Sequence, residues 1–214
     1  MPYIMTLRDK KNAKSRPIFI WEPVPDLCVP EHLDECLKAL TYVDIISPNH
    51  VELGAFFNRD VTRASSGEIN EGLVEELSDM FLKSGIGPGS TGCVVVRCGK
   101  RGCLVAHPDI PVQDRWLPAF HAPGVVGEQN RKVVDPTGGG NAFLGGLSVG
   151  MVRVTSKTGG NRLKEAVIWG TVAASLAIEQ IGMPILGTDE QGETWNGVHV
   201  WERVADYTLK LQGL

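Results

Sequence analysis

The stretch that decides the fold is VVDPTGGGNAFLGG, residues 133–146. Two valines lead into an Asp-Pro-Thr turn, three glycines follow in a row, and an apolar run opens behind them. The pattern predicts a strand ending at Val133 and Val134, a glycine turn, and a helix over residues 141–151. Such a turn presents several backbone N–H groups at the positive end of a helix dipole, which makes it an anion site. Glycine suits the turn because a Cβ would keep a phosphate from close approach. The same letters also describe a tight strand-to-helix turn with no ligand, and the loop alone leaves both readings open.

Outward from this turn, strand and helix patterns alternate, which predicts an α/β fold with a largely parallel sheet flanked by helices. PIFIW (17–21) reads as a buried strand and is followed by a loop stiffened by Pro23, Pro25 and Pro30. EHLDECLKAL carries an apolar stripe at Leu33, Cys36, Leu37 and Leu40, a helical spacing. YVDIISP is the next strand. NHVELGAFF opens a helix at Asn49, and INEGLVEELSDMFLKSG is a longer helix stopped by Gly85. CVVVRC, the turn GKRG and CLVA form a hairpin. A further strand is expected near residues 116–120. The helix NRLKEAVIWGTVAASLAIEQIG should end at Gly182, its Gly170, Ala173, Ala174 and Ala177 permitting close packing. The last helix covers roughly residues 198–211.

The chain has 214 residues and a net charge of −4. That length suffices for one domain with a real core, taken as residues 17–214 behind a flexible lead-in of residues 1–16. The lead-in holds the basic run RDKKNAKSR, which lacks the amphipathic face of a presequence. The charge argues against a nucleic-acid or anionic-membrane surface. No apolar run reaches transmembrane length. The five cysteines are odd in number and lack a CxxC pair, as fits reduced, buried thiols in an intracellular, cytoplasmic protein.

DPTGGGNAFLGG resembles the second signature of the ribokinase-like (PfkB) carbohydrate kinases, a pattern close to D-T-x-G-A-G-D-x-F. Matched in order, Asp135 takes the first Asp, Thr137 follows, Gly138, Gly139 and Gly140 form the anion hole, and Asn141 falls on the catalytic base. DIISPNHVE resembles the family's N-x-x-E motif, with Asn49 and Glu52 linked through the family to magnesium. VVVRCGKRGCLV resembles the strand-turn-strand V-T-L-G-x-x-G, with Gly99 and Gly102 kept at the nucleotide while Arg97 and Cys98 replace Thr and Leu. TVAASLAIEQIG is similar to the helix beside the adenine. The resemblance runs from about residue 17 to about residue 182 and implies a three-layer ribokinase-like fold, ATP and Mg²⁺. The spelling DPTGGGN resembles a divergent fungal branch related to the "maintenance of killer" proteins.

Two departures bear on function. Asn141 offers an amide where the family's base takes a proton from the sugar hydroxyl. The match also begins midway along the family's pattern, so the chain reads as a truncated, C-terminal portion without the sugar-binding half. An uncovered sheet edge and apolar surface then predict a homodimer or a protein partner. Three functions stay open: a degenerate kinase-like protein, a working ATP-dependent carbohydrate kinase, and a catalyst of another class that binds an apolar small molecule in the vacated cleft.

The remaining candidates have ordinary explanations beside the functional ones. Asn49 and Glu52 also spell a capping box. Asp135 before Pro136 also spells a turn. Asn141 could cap its helix. His50, His107, His121 and His199 are scattered, with no Ser-His-Asp order. Trp116, Trp169, Trp195 and Trp201 suit packing as well as a pocket wall. Residues 108–132 are long enough for a functional loop.

Overall fold

The structure is a computed structural model that describes residues 17–63, 65–122, 132–154 and 159–213. The lead-in of residues 1–16 and residues 123–131 of the long loop lie outside the described residues. The chain falls into two compact units. One takes Met1–Val96 and Leu104–Val112, the other Arg97–Cys103 and Gln113–Leu214.

The first unit is built on strands in the order β1 (Ile20–Trp21), β2 (Ile45–Ile46), β3 (Cys93–Arg97) and β4 (Cys103–Ala106). β1, β2 and β3 run parallel, with Ile20 opposite Ile45 and Ile45 opposite Cys93. Parallel neighbours need crossovers. The first is α1 (Leu33–Leu40), and the second is α2 (His50–Phe56) with α3 (Glu71–Ser84). β3 and β4 are joined by a short turn and so run antiparallel, which makes the sheet mixed. Val94, Val95, Val96, Leu104 and Val105 are fully buried, as a strand covered on both faces requires. Leu40, Leu53, Val74 and Leu77 complete this core from the helices, and Phe56 meets Phe81 edge to face at 5.7 Å. Polar side chains brace the strands: Phe19 N–H donates to Asp44 Oδ2 at 2.7 Å, and Ser47 Oγ donates to the Val95 carbonyl at 2.8 Å. Gly85 stops α3 with φ at 89°, as the sequence predicts.

The second unit holds β5 (Trp116–Leu117), α4 (Gly139–Arg153), α5 (Gly159–Ala177), a hairpin of β6 (Leu186–Asp189) and β7 (Gly192–Trp195), and α6 (Val200–Gln212). α4 and α5 pack backbone to backbone. A methyl group added at Gly150 would lie 2.6 Å from the Ala166 Cα, and one at Gly170 would lie 2.8 Å from the Phe143 carbonyl oxygen. Tyr207 on α6 is fully buried, and its hydroxyl donates to the Pro118 carbonyl at 2.5 Å. Lys210 Nζ reaches the Phe120 carbonyl at 3.2 Å, so α6 pins the segment behind β5 at two points.

Two expectations are corrected, and one element is new. Val133 and Val134 form no strand, because the N–H groups of Val134 and Asp135 both turn to one acceptor, the Ile178 carbonyl, at 2.8 and 3.2 Å. The same diversion ends α5 at Ala177 rather than at Gly182, and Gln180 Nε2 takes over the orphaned carbonyls of Leu176 and Ala177 at 3.1 and 2.9 Å. The β6–β7 hairpin was not expected at all. It pairs Leu186 with Trp195 and closes at Asp189 and Gly192, where Gly192 has φ at 121°. Ile181, Met183 and Ile185, between α5 and this hairpin, and Leu186 at its start are exposed. No helix among the described residues is long and apolar enough to cross a membrane.

Candidate anion site at the glycine turn

α4 starts on Gly138, whose left-handed φ of 80° suits glycine. Gly139 N–H donates to the Pro136 carbonyl at 3.2 Å, and Ala142 N–H to the Gly138 carbonyl at 2.9 Å. The first-turn N–H groups of Gly140 and Asn141 have no acceptor within a helix, by helix geometry alone. Ahead of the turn, Asp135 Oδ1 accepts from Thr137 N–H at 2.9 Å, the turn-forming role of Asp-Pro-Thr. That bond also holds the Asp135 carboxyl below its ordinary value. Asn141 is the third residue of α4 and not its cap, because Gly138 already occupies the cap position.

The three glycines meet different surroundings. A side chain at Gly138 would find open space. One at Gly139 would lie 2.9 Å from Ile178 Cγ2, so that glycine allows the turn to sit on the end of α5. One at Gly140 would collide with Nη1 of Arg97, with the guanidinium carbon 3.6 Å away. Arg97 is the last residue of β3 and was not among the expected site residues. A charge closing the apolar run CVVV was the available signal, but a long side chain reaching another element leaves no local trace.

Gly99 and Gly102 lie on the hairpin tip, both at positive φ, 51° and 98°. A side chain on Gly99 would meet nothing, whereas one on Gly102 would collide with the Leu117 carbonyl oxygen and the Pro118–Ala119 peptide. Gly102 is therefore required for packing against the segment behind β5. Arg101 beside it lies over the Trp116 ring at 4.6 Å.

Asn49 and Glu52 sit in the first unit and form a complete capping box on α2. Glu52 N–H donates to Asn49 Oδ1 at 2.9 Å, and Asn49 N–H donates to Glu52 Oε2 at 2.8 Å. Among the described residues, no group of three or more His, Cys, Asp or Glu side chains is placed to hold a metal ion.

Sequence reasoning also missed a buried polar knot in the second unit. Glu179 Oε1 accepts from Arg203 Nη1 at 2.7 Å and meets His121 Nε2 at 2.8 Å, and its Oε2 accepts from Asn196 Nδ2 at 3.2 Å. Burial pushes the Glu179 carboxyl up, but the hydrogen bonds from Arg203, Asn196 and His121 outweigh it and leave it below its ordinary value. Burial lowers His121 below its ordinary value of 6.5 against the pull of Glu179. Glu179 follows Ile178, whose carbonyl and side chain support the glycine turn. His199 is buried as well, between Asp189 Oδ2 at 3.1 Å and the Glu193 carbonyl at 2.9 Å, and stacks on Trp201.

The fold these elements define is ribokinase-like. A ribokinase from Thermotoga maritima matches 97% of this chain and 54% of its own, with a TM-score of 0.55 and 22% identity. The pfkB family of carbohydrate kinases matches residues 19–186, and the chain belongs to that family. An uncharacterized protein of Schizosaccharomyces pombe is 36% identical over 205 residues, 92% of this chain and 53% of its own length. Protein MAK32 of Saccharomyces cerevisiae is 32% identical over 213 residues, 97% of this chain and 53% of its own length. The chain thus spans about half the length of the curated relatives it matches.

Proposed function

We propose that this chain is a kinase-like member of the PfkB family that keeps a glycine-rich anion turn and has lost efficient phosphoryl transfer. The observation that carries this reading is Asn141, on the first turn of α4 directly behind the three glycines. On this reading Asn141 stands where the family's second signature carries its catalytic base. An amide oxygen accepts a hydrogen bond but takes no proton near neutral pH, and losing a general base costs about 10²–10⁴ in rate. Positioning and charge stabilisation, which dominate phosphoryl transfer, are not abolished by that loss. The open space at Gly138 supports weak binding of a phosphate group. ATP with Mg²⁺, which the family implies, is the first ligand to test. Calorimetry and a phosphoryl-transfer assay on wild type and Asn141→Asp decide the matter. The expected outcome is weak ATP binding by both, with transfer to a sugar or to water about 100-fold faster in Asn141→Asp. Equal and substantial transfer by the wild type would end this reading.

A further inference from the structure

We infer that Asn196 is a deamidation site held closed by the polar knot around Glu179, and that its conversion releases the end of α5 irreversibly. Asn196 and Gly197 are the chain's one Asn-Gly pair. They form a two-residue turn, in which Trp195 N–H donates to the Val198 carbonyl at 2.8 Å and Val198 N–H returns to the Trp195 carbonyl at 3.0 Å. Both have left-handed φ, 54° and 73°, the geometry that selects Asn-Gly for such turns. The same pair is chemically weak. Without a Cβ, Gly197 leaves its own nitrogen open to the preceding side chain, and asparagine is among the thermolabile residues. The nitrogen attacks Asn196 Cγ, the Cγ–Nδ2 bond breaks, and ammonia leaves with the proton that Gly197 gives up. Water then opens the resulting succinimide, to aspartate or to isoaspartate.

The folded chain opposes the first step. Asn196 Nδ2 donates to the Leu176 carbonyl at 3.0 Å, to Gln180 Oε1 at 2.7 Å and to Glu179 Oε2 at 3.2 Å, and its Oδ1 accepts from Ile185 N–H at 2.9 Å. The leaving nitrogen is tied to three acceptors, so Cγ cannot swing toward Gly197 until the knot opens. Deamidation therefore proceeds from a locally opened state. The product cannot close again. A carboxylate has no N–H to give, and the same three acceptors would face it unpaired, with the Glu179 charge among them. Isoaspartate adds a carbon to the backbone and cannot make the turn. The loss reaches the glycine turn through Ile178, beside Glu179, whose carbonyl holds the N–H groups of Val134 and Asp135 and whose side chain lies against Gly139. The inference does not depend on what that turn binds.

Peptide mapping by mass spectrometry at pH 8 follows the conversion in the whole chain and in a synthetic peptide of residues 190–202. The native chain should convert at Asn196 about ten- to hundredfold more slowly than the peptide. Urea below the unfolding transition should speed it while circular dichroism still reports a folded chain. Glu179→Gln, which weakens the knot, should convert about threefold faster than wild type or more. Thermal melts test the irreversibility. Asn196→Asp should melt below Asn196→Gly, which allows the turn's backbone but brings no carboxylate to the knot. A native chain converting as fast as the peptide would overturn the closure. No product at Asn196 after about ten peptide half-lives would overturn the site itself. Asn196→Asp melting no lower than Asn196→Gly would overturn the one-way release. Nucleotide binding and transfer are not read here, so each outcome leaves the argument from Asn141 untouched.

Discussion

Gly102 shows how one residue can carry two explanations that a substitution separates. Its place in the G-x-x-G turn suggests contact with a nucleotide, yet the structure gives it a sufficient packing reason. Its φ is 98°, and the backbone of residues 117–119 stands where its side chain would be. Alanine there must adopt an unfavourable backbone and push that segment away, at a cost of at least about 2 kcal/mol. Gly99 has φ at 51° and open space, so alanine there should cost about 1 kcal/mol or less. Urea denaturation of Gly102→Ala and Gly99→Ala measures the contrast. Equal losses would mean that the 117–119 segment yields freely. Asn141 is the opposite case. It is not the cap of its helix, a position that Gly138 occupies, so capping does not explain an amide there.

Among the elements, the ends of α5 and the segments it gathers decide the shape of the second unit. Glu179 ties residue 121, Asn196 just after β7 and Arg203 of α6 to the end of α5. Removing one partner of a largely buried ion pair leaves the other charge uncompensated, so Glu179→Ala should cost about 3 kcal/mol. The pH dependence has a definite sign. Both His121 and Glu179 have folded-state values below their ordinary ones, so the unfolded chain takes up protons first. Their contribution is complete above pH 6.5. It is lost as pH falls through the folded value of His121, and again as pH falls below the ordinary carboxylate value of 4.5 through that of Glu179. Thermal melts from pH 7.5 to pH 4 should show a steady fall in wild type that is shallower above pH 5 in His121→Gln. Parallel curves would exclude His121 as the source. This knot also marks the boundary of what the sequence discloses. The stripe of α1, the capping box of α2, the stop at Gly85 and the glycine turn are local signals and could be read directly. The true end of α5 could not, because it depends on the Ile178 carbonyl meeting N–H groups more than 40 positions earlier in the chain. The β6–β7 hairpin is largely exposed and so lacks the apolar alternation that reveals a strand. Arg97 at the turn was hidden for the first of these reasons.

Over the whole molecule, the question is whether the two compact units open separately. The hairpin argues that they do not. β3 belongs to the first unit up to Val96 and to the second at Arg97, and β4 returns from Cys103 to Leu104. A strand cannot keep its ladder on one side of such a boundary and lose it on the other without exposing buried backbone groups. The cysteines fall on both sides and offer a direct probe. Cys28, Cys36 and Cys93 lie in the first unit, Cys98 and Cys103 in the second, and all five are buried and outside any disulfide. Burial raises the thiols of Cys28 to about 11 and of Cys36 and Cys103 to about 12, and that of Cys93 also rises. The native chain should therefore hold almost no thiolate at these sites at pH 8, and a disulfide reagent should find none of the five reactive. In a denaturant series all five should become reactive in one transition that coincides with the loss of helix by circular dichroism. Two transitions, releasing three thiols and then two, would mean that the units unfold independently and that the shared hairpin does not couple them.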